Sequence, residues 1–229
     1  MPFDTDCHPA GDRPLLLADA SGFAHGVRCG VKRVLDVAGA AVLLVLMAPL
    51  MVLTALLVSI DGGPVFYSHR RIGRGGKPFG CLKWRTMIVG AEECLPEYLA
   101  FHPQVADEWR RCQKLAFDPR VTGIGKFLRR TSLDELPQLL NVLRGEMSLV
   151  GPRPVTAIEL EERYGRNAHL YCSVAPGLTG LWQVSGRNDV CYDRRVELDM
   201  QYIAGWSLAR DVGILFKTAE VVLSRGGAR

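Results

Sequence analysis

Residues 131–156 read TSLDELPQLLNVLRGEMSLVGPRPVT, and this stretch decides the fold prediction. Two adjacent acids, Asp134 and Glu135, precede a run with helical spacing, and a Gly-Pro-Arg-Pro turn that carries Arg153 follows it. Carboxylates at the positive end of a helix, with an arginine close by, suit a bound metal ion and phosphate groups. The stretch therefore predicts a phosphate site in a mixed α/β protein.

The helix start near the two acids has a purely structural explanation as well. Ser132 and Glu135 fit the capping-box pattern S-x-x-E,. Pro137 argues for a slightly later start, because its missing amide hydrogen matters least in a first turn. Successive helical positions point about 100° apart, so the two acids are expected to have different tasks. One faces a substrate phosphorus, and the other holds a metal ion for which hard oxygen ligands indicate magnesium.

Two further turns carry arginines. Pro152 and Pro154 have fixed φ angles that stiffen the turn presenting Arg153, whose guanidinium can grip phosphate oxygens in bidentate fashion. A solvated surface arginine is the alternative. Residues 176–188 contain two glycine-rich turns around a short strand and end near Arg187. A nucleotide or sugar contact and an ordinary hairpin both fit that pattern.

An apolar segment lies upstream. Residues 37–60 hold no charged side chain over 24 positions. A straight helix of that length extends about 36 Å, enough to cross a bilayer core of about 30 Å. Pro49 lies at its midpoint, and basic residues flank both ends, which favours the cytoplasmic side for both. The pattern predicts a re-entrant helix that breaks at Ala48 and Pro49, with a spanning helix as the alternative.

The charge distribution narrows the class of partner. The 229 residues carry a net charge of +4, but residues 68–87 contain six basic side chains and no acid. Phosphorylated substrates and anionic lipid headgroups explain this patch better than nucleic acid does, because its neighbours are apolar rather than stacking residues. Seven widely spaced cysteines without a CxxC pair indicate reduced, cytosolic thiols,.

The predicted fold class is helix-rich mixed α/β. It has a flexible lead-in at residues 1–30, a re-entrant membrane hairpin at 31–61, and a compact body on the cytosolic side at 62–229, to which the catalytic function considered below would belong. Short strands are predicted at 65–67 and 80–85, and helices at 134–143, 157–164 and 208–223. The last of these is amphipathic, so that packing on the body and lying in the membrane interface are both expected roles.

At these residues the chain resembles the bacterial sugar transferases, the monotopic phosphoglycosyl transferases that begin polysaccharide assembly. The resemblance covers residues 32–226 and rests on linked motifs: KRVLDV, RRIGRGGKPF, KWRTM, the run from DPRVTGIGKF through LVGPRP, and PGLTGLWQVSGRN. The chain is similar to the short exopolysaccharide-initiating type, without the additional N-terminal transmembrane helices of longer relatives.

The resemblance implies a covalent mechanism. Asp134 attacks the β-phosphate of a UDP-sugar and releases UMP, and a polyprenol phosphate, expected to be undecaprenyl phosphate, then takes the phosphosugar. Glu135 matches the acid that binds Mg²⁺, and galactose or glucose is the expected sugar. The predicted substrate contacts are Lys83, Arg85, Arg129, Arg153, Pro154 and Arg187.

The resemblance also implies a place for the enzyme. The catalytic body faces the cytoplasm at one leaflet of the bacterial inner membrane, a homodimer is unsurprising, and nucleic acid is not an expected partner. A non-catalytic membrane scaffold or regulator of polysaccharide synthesis is the alternative function.

Overall fold

The structure, a computed structural model, describes residues 16–112, 115, 117–186 and 191–223. This part is mainly helical, with two small two-stranded sheets. Its helices are α1 (Leu16–Ser59), α2 (Ala91–Phe101), α3 (Pro103–Cys112), α4 (Gly123–Thr131), α5 (Gln138–Arg144), α6 (Ala157–Glu159), α7 (Ala168–Ser173), α8 (Tyr192–Ala204) and α9 (Leu208–Leu223). Its strands are β1 (Phe66–Ile72), β2 (Pro78–Trp84), β3 (Ser148–Val150) and β4 (Gly177–Thr179). The helix-rich mixed α/β class is confirmed.

The first helix differs from its prediction. It begins at Leu16, within the segment predicted as a flexible lead-in. It also continues to Ser59 through Ala48 and Pro49, so the predicted break into two helices is wrong. A proline removes one backbone donor and crowds one turn, while the residues on either side keep their helical bonds. The helical backbone therefore persists across it.

Most of the apolar part of α1 is not covered by the other residues that the structure describes. Between Arg28 and Ser59 it contains a window of mean hydropathy 2.8, of which 11% is buried. Val45 and Leu46 are examples of its exposed side chains. Among the described helices this is the one long and apolar enough to cross a membrane. An exposed apolar surface of this extent indicates contact with something other than water.

The N-terminal end of this apolar part is fixed to the body by charged side chains. Lys32 Nζ donates to the carbonyl of Val150 at 3.1 Å and lies 2.6 Å from Asp211 Oδ2 on α9. One turn further on, Asp36 Oδ1 accepts a hydrogen bond from the Leu149 amide at 3.0 Å. Arg33 donates to carbonyls at the end of α5. These contacts join α1 to the strand that leads into the Arg153 turn.

The C-terminal end is fixed by Arg85. Its guanidinium donates to the Val58 carbonyl at 2.8 Å and to the Asp61 carboxylate at 2.7 Å. Further bonds reach the carbonyls of Pro64 and Met87. Both ends of the apolar part of α1 therefore contact the same folded body.

The two sheets position the residues of interest. β1 and β2 form an antiparallel hairpin in which Tyr67 pairs with Lys83 and Arg71 with Phe79. The strands predicted at 65–67 and 80–85 are confirmed, although β1 is longer than predicted. β3 pairs in parallel with β4, so that residues 176–186, the described part of the segment predicted at 176–188, do not form an ordinary hairpin of their own. The helices predicted at 157–164 and 208–223 are also present.

One buried amide connects β2 to α5. Asn141, with no exposed surface, accepts from the Leu82 amide at 3.0 Å and donates to the Gly80 carbonyl at 2.8 Å. Its amide nitrogen also lies 2.6 Å from a carboxylate oxygen of Glu146. This contact holds the strand that carries Lys83 against the helix that follows the two acids.

We expect Asn141→Ala to lower the free energy of unfolding by about 3 kcal/mol. The change leaves the Leu82 amide and the Gly80 carbonyl buried without their partner, and each such group costs about 1–3 kcal/mol. Denaturant unfolding of purified protein checks this. Asn167→Ala is the matched control, because Asn167 is exposed and makes no side-chain cap at the start of α7. Equal midpoints for the two variants would contradict the assigned role of Asn141.

Candidate active site

The two adjacent acids lie in a turn between α4 and α5. Residues Leu133–Glu135 form a single 3₁₀ turn, and α5 begins only after Pro137. The predicted capping box at Ser132 is wrong, because Ser132 adopts a left-handed conformation with φ 57° at the end of α4 and its side chain makes no cap bond. The helix predicted at 134–143 begins only at Gln138, so that Pro137 precedes its first turn instead of lying within it.

Lys83 of β2 joins the two carboxylates. Its Nζ lies 2.8 Å from Glu135 Oε1 and 3.7 Å from Asp134 Oδ2. Asp134 is 9% exposed, whereas the Glu135 side chain is 28% exposed. The two acids thus have different surroundings, as their adjacent positions predict: one is enclosed and the other reaches solvent.

Burial raises the pKa of the Asp134 carboxyl, and the negative charge of Glu135 adds to the effect. The positive charges of Lys83 and Arg129 act in the opposite direction. A carboxylate with little solvation gains more from a nearby electrophile or cation than a hydrated one does. Asp134 therefore has the environment of a reactive group, and Glu135 that of an accessible ligand.

A small cleft that opens to solvent lies beside Lys83 and Glu135. Asp134 does not itself line the cleft, but its Oδ2 lies 3.7 Å from Lys83 Nζ, and Lys83 lines it. The functional side chains that line it are Arg71, Lys83, Glu135, Gln138, Arg153 and Gln183. Three cations and one carboxylate among them favour an anionic ligand with room for a metal ion.

The Arg153 turn forms the facing wall of the cleft. Its guanidinium lies over the ring of Trp182, 5.6 Å from the ring centroid, and Arg195 of α8 lies over the same ring at 4.8 Å. Pro154, beside it, also lines the cleft. Stacking on an aromatic face restricts an arginine while leaving its N–H groups free to bind anions. This wall therefore presents a fixed positive charge to the cleft.

Comparison with known proteins identifies the family of this chain. Residues 27–225 match the family model for bacterial sugar transferases. The chain belongs to this family.

The relatives that this chain matches differ in length. An undecaprenyl-phosphate galactose phosphotransferase of Salmonella typhimurium is 52% identical over 198 residues, which cover 86% of this chain and 41% of the relative. A UDP-galactose-lipid carrier transferase of Erwinia amylovora is 54% identical with the same two shares. The exopolysaccharide production protein ExoY of Rhizobium meliloti is 52% identical over 215 residues, covering 93% of this chain and 95% of the relative. The chain thus spans about two fifths of the first two relatives and nearly all of the third.

Four of the residues predicted from the resemblance lie around the same cleft. Lys83, Glu135, Arg153 and Pro154 line the cleft. Arg129 lies behind them, where its Nε donates to Thr86 Oγ1 at 2.9 Å and its charge acts on the Asp134 carboxyl. Arg187 lies outside the described residues.

Arg85 requires a correction. Its side chain is buried, and its guanidinium donors are bound to Asp61 and to backbone carbonyls at the end of α1. A guanidinium has five N–H donors, and none is left for a substrate phosphate here. We therefore leave Arg85 out of the proposed substrate contacts.

Sequence reasoning missed three residues of the cleft, Arg71, Gln138 and Gln183. For Arg71 a signal was present: residues that pair directly across an antiparallel hairpin point to the same face, and alternation places 71, 81 and 83 together,. Arg85 follows the same alternation but lies beyond the end of β2. For Gln138 and Gln183 the local sequence carries no comparable signal.

The residues around Glu135 suit a magnesium ion that is shared with the substrate. Within the described residues, no three histidine, cysteine, aspartate or glutamate side chains lie close enough together to hold a metal ion by themselves. Magnesium bound with a phosphorylated substrate takes one or two carboxylates together with phosphate oxygens and water. Glu135, with Asp134 beside it, fits that requirement, and the side-chain exposure of Glu135 allows access.

Proposed function

We propose that this protein transfers a sugar 1-phosphate, of the galactose or glucose type, from a UDP-sugar to undecaprenyl phosphate and releases UMP. The observation that carries the proposal is the pair of unlike carboxylates joined by Lys83 behind a cationic cleft. The names of the relatives, which include an undecaprenyl-phosphate galactose phosphotransferase and an exopolysaccharide production protein, support the same reaction.

In the first step the Asp134 carboxylate attacks the β-phosphorus of the UDP-sugar. An O–P bond to Asp134 forms, the bond from the bridging oxygen to that phosphorus breaks, and UMP leaves with the bridging oxygen. The low exposure of Asp134 supports this role, because a poorly hydrated nucleophile loses little water on attack,. Arg153 and Arg71 are placed to offset charge on the phosphate oxygens,.

In the second step an oxygen of undecaprenyl phosphate attacks the same phosphorus. The Asp134 carboxylate is the leaving group, and the product is an undecaprenyl diphosphate sugar. Each step exchanges one anhydride-type O–P bond for another, so that covalent catalysis divides the transfer into two steps of the same chemical kind.

Glu135 is the proposed magnesium ligand. A bound Mg²⁺ would supply charge compensation for the diphosphate. Lys83, whose Nζ lies 2.8 Å from Glu135 Oε1, adds a positive charge beside this carboxylate.

We expect Glu135→Gln to raise the magnesium concentration needed for half-maximal activity by about tenfold or more, because a neutral amide is a weaker ligand for a hard cation. Magnesium titration of UMP release checks this. Glu162→Gln, at an exposed position that does not line the cleft, provides the same chemical change as a control. An unchanged magnesium titration in Glu135→Gln would contradict the assignment.

A lipid substrate requires a site at the membrane, and α1 supports one. Its apolar side chains are exposed, yet Lys32 near one end and the carbonyl of Val58 near the other contact the same body. A straight crossing of about 30 Å would separate such ends across the bilayer. We therefore propose that α1 dips into one leaflet as a helix bent at Pro49, without a break in its helical backbone, with the body on the cytoplasmic side of the inner membrane,.

The test of the function is an assay of purified protein with undecaprenyl phosphate and a panel of UDP-sugars. We expect UMP and a lipid-linked sugar diphosphate in equal amounts, with UDP-galactose or UDP-glucose as the preferred donor. Absence of UMP with every donor, or release of UDP in place of UMP, would contradict the proposal.

A further inference from the structure

The two arginines that line the cleft belong to segments far apart in the chain, and these segments meet beside it. Arg71 is the penultimate residue of β1, and Arg153 lies in the turn that follows β3. Ile72 pairs with Val155 in an isolated antiparallel bridge, in which the Ile72 amide donates to the Val155 carbonyl at 2.9 Å. The position of one arginine relative to the other therefore depends on how this bridge is made.

The other half of this bridge passes through the hydroxyl of Tyr171, a residue of α7 with no exposed surface. In a hydrogen-bonded antiparallel pair, the two residues exchange both backbone bonds. Here the Val155 amide donates to the Tyr171 oxygen at 3.2 Å, and that oxygen lies 3.0 Å from the Ile72 carbonyl and 3.1 Å from the Arg153 carbonyl. A hydroxyl has one hydrogen, so it donates to one of these carbonyls at a time. The Tyr171 oxygen is thus interposed between the two segments and contributes to their spacing.

The side chain of Arg71 is held from the same place. Its Nη1 donates to Glu159 Oε2 at 2.7 Å, and the same oxygen accepts a hydrogen bond from the Thr156 amide at 2.8 Å. Thr156 is the N-cap residue of α6, in a capping box with Glu159. A carboxylate that binds a guanidinium and a backbone amide together restricts the rotation of the arginine. The Arg71 side chain is therefore attached to the segment that follows the Arg153 turn.

The separation of the two guanidinium groups matters because covalent geometry fixes the charges of a diphosphate. Its two phosphates share one bridging oxygen, so the cations that bind them must lie at a matching separation. A guanidinium grips two phosphate oxygens only when it lies in the right plane. A misplacement of about 1 Å can lower the rate of a reaction about 10²-fold. Groups that set this separation therefore affect binding and catalysis without touching the ligand.

We propose that Tyr171 and Glu159 are positioning residues, which hold Arg71 and Arg153 at the separation that binds the two phosphates of the donor. Tyr171 acts through the backbone beside both arginines, and Glu159 acts through the Arg71 side chain. Neither residue lines the cleft. The catalytic value of this arrangement rests on the proposed function, whereas the spacing of the two arginines does not.

Amide hydrogen exchange in protein without substrate tests the role of the hydroxyl. We expect the Val155 amide to exchange about tenfold faster in Tyr171→Phe than in wild type, because the ring still separates the two segments but offers no acceptor. Val196→Ala shortens a side chain of the same buried cluster and controls for general loosening. It should change the exchange of Val155 less than Tyr171→Phe does. Equal protection of Val155 in wild type and Tyr171→Phe overturns the proposal.

Binding of UDP, which carries two phosphates but no sugar to transfer, tests the consequence in a double-mutant cycle. Tyr171→Phe should raise the dissociation constant about tenfold in the wild-type background and less than about twofold in Arg153→Ala, since a spacing between two groups has no effect once one is removed. Val196→Ala should bind UDP like wild type. The same loss from Tyr171→Phe in both backgrounds is the result of a merely structural role and overturns the proposal.

Glu159→Gln gives an independent cycle. Glutamine retains the atoms of the capping box but loses the charge that holds Arg71,. UDP binding should weaken about fivefold in the wild-type background and not at all in Arg71→Ala, because the contact has then lost its partner. An equal effect of Glu159→Gln in both backgrounds removes Glu159 from the proposal.

These readouts separate the positioning roles from the proposed function. Coupled losses of UDP binding, together with no release of UMP from any UDP-sugar, would support the positioning roles and contradict the transferase reaction. Normal release of UMP, together with losses of UDP binding that are the same in every background, would contradict the positioning roles alone.

Discussion

Replacement of Asp134 by asparagine is expected to lower UMP release by about a thousandfold or more. The amide keeps the size of the carboxylate but cannot attack phosphorus to form an acyl phosphate, so that the covalent route is lost. Asp134 is nearly enclosed and lies 3.7 Å from Lys83, so a neutral residue of the same shape should keep the fold. Initial rates of UMP release with saturating undecaprenyl phosphate give the comparison.

Two controls make that result specific. Asp193→Asn is the same chemical change at an exposed position in the first turn of α8, and its rate should equal that of wild type. Asp134→Ala excludes recovery of the acid by deamidation and should be as inactive as the asparagine variant. Retention of a tenth of the wild-type rate by either Asp134 variant, which corresponds to only about 1.4 kcal/mol, would contradict its role as nucleophile.

The second large effect is expected at Arg153. Arg153→Ala should lower kcat/KM for the UDP-sugar by about 10²- to 10³-fold, the usual cost of removing one fixed group that stabilises developing charge. Arg153→Lys should fall between this variant and wild type, because lysine keeps the charge but lacks the planar fork that binds two oxygens. Steady-state kinetics with the donor varied check both values.

Loss of the contact with Trp182 is a separate consequence of the same substitution. A cation over an aromatic ring contributes about 0.5–1 kcal/mol at an accessible site, so Arg153→Ala should change the unfolding free energy by no more than that,. Arg166→Ala, a change at an exposed arginine, controls for general charge. An activity of Arg153→Ala within twofold of wild type would remove this residue from the proposed site.

Sequence patterns predicted correctly the position of those residues whose surroundings depend on near neighbours in the chain. The β1–β2 hairpin follows from alternation and a glycine-rich turn, and alternation also explains why Lys83 reaches the acids. The same rule fails at Arg85, because this residue lies after the strand has ended and packs against α1 instead. Side chains alternate between the two faces of a sheet only within a strand, so alternation does not predict where a side chain beyond the strand end points.

The same capping-box pattern occurs twice in the chain with different outcomes. Both Ser132-x-x-Glu135 and Thr156-x-x-Glu159 fit the capping-box pattern, and only the second forms it. Ser132 ends the preceding helix in a left-handed conformation, which turns its side chain away from the next helix start,. That conformation depends on α4, a feature the four-residue pattern does not contain.

Contacts between distant segments lay beyond sequence reasoning. Lys32 and Asp211 pair across most of the chain, and Asp199 meets Tyr164 only after α8 has packed against residues 160–173. A single sequence gives no measure of such pairing, because buried polar partners are chosen by tertiary packing. The sequence predicted the length of the apolar part of α1, whereas only the structure shows that the helix continues through Pro49.

The central claim is that the phosphosugar passes through a bond to Asp134. Its most direct test is incubation of the protein with UDP-galactose or UDP-glucose, magnesium and no lipid acceptor, followed by mass spectrometry of the acid-quenched protein. We predict a mass increase of one hexose phosphate on the peptide containing Asp134 in wild type. It should disappear after addition of undecaprenyl phosphate and be absent from Asp134→Asn. Turnover in the complete assay without any such adduct, or the same adduct on Asp134→Asn, would contradict the account.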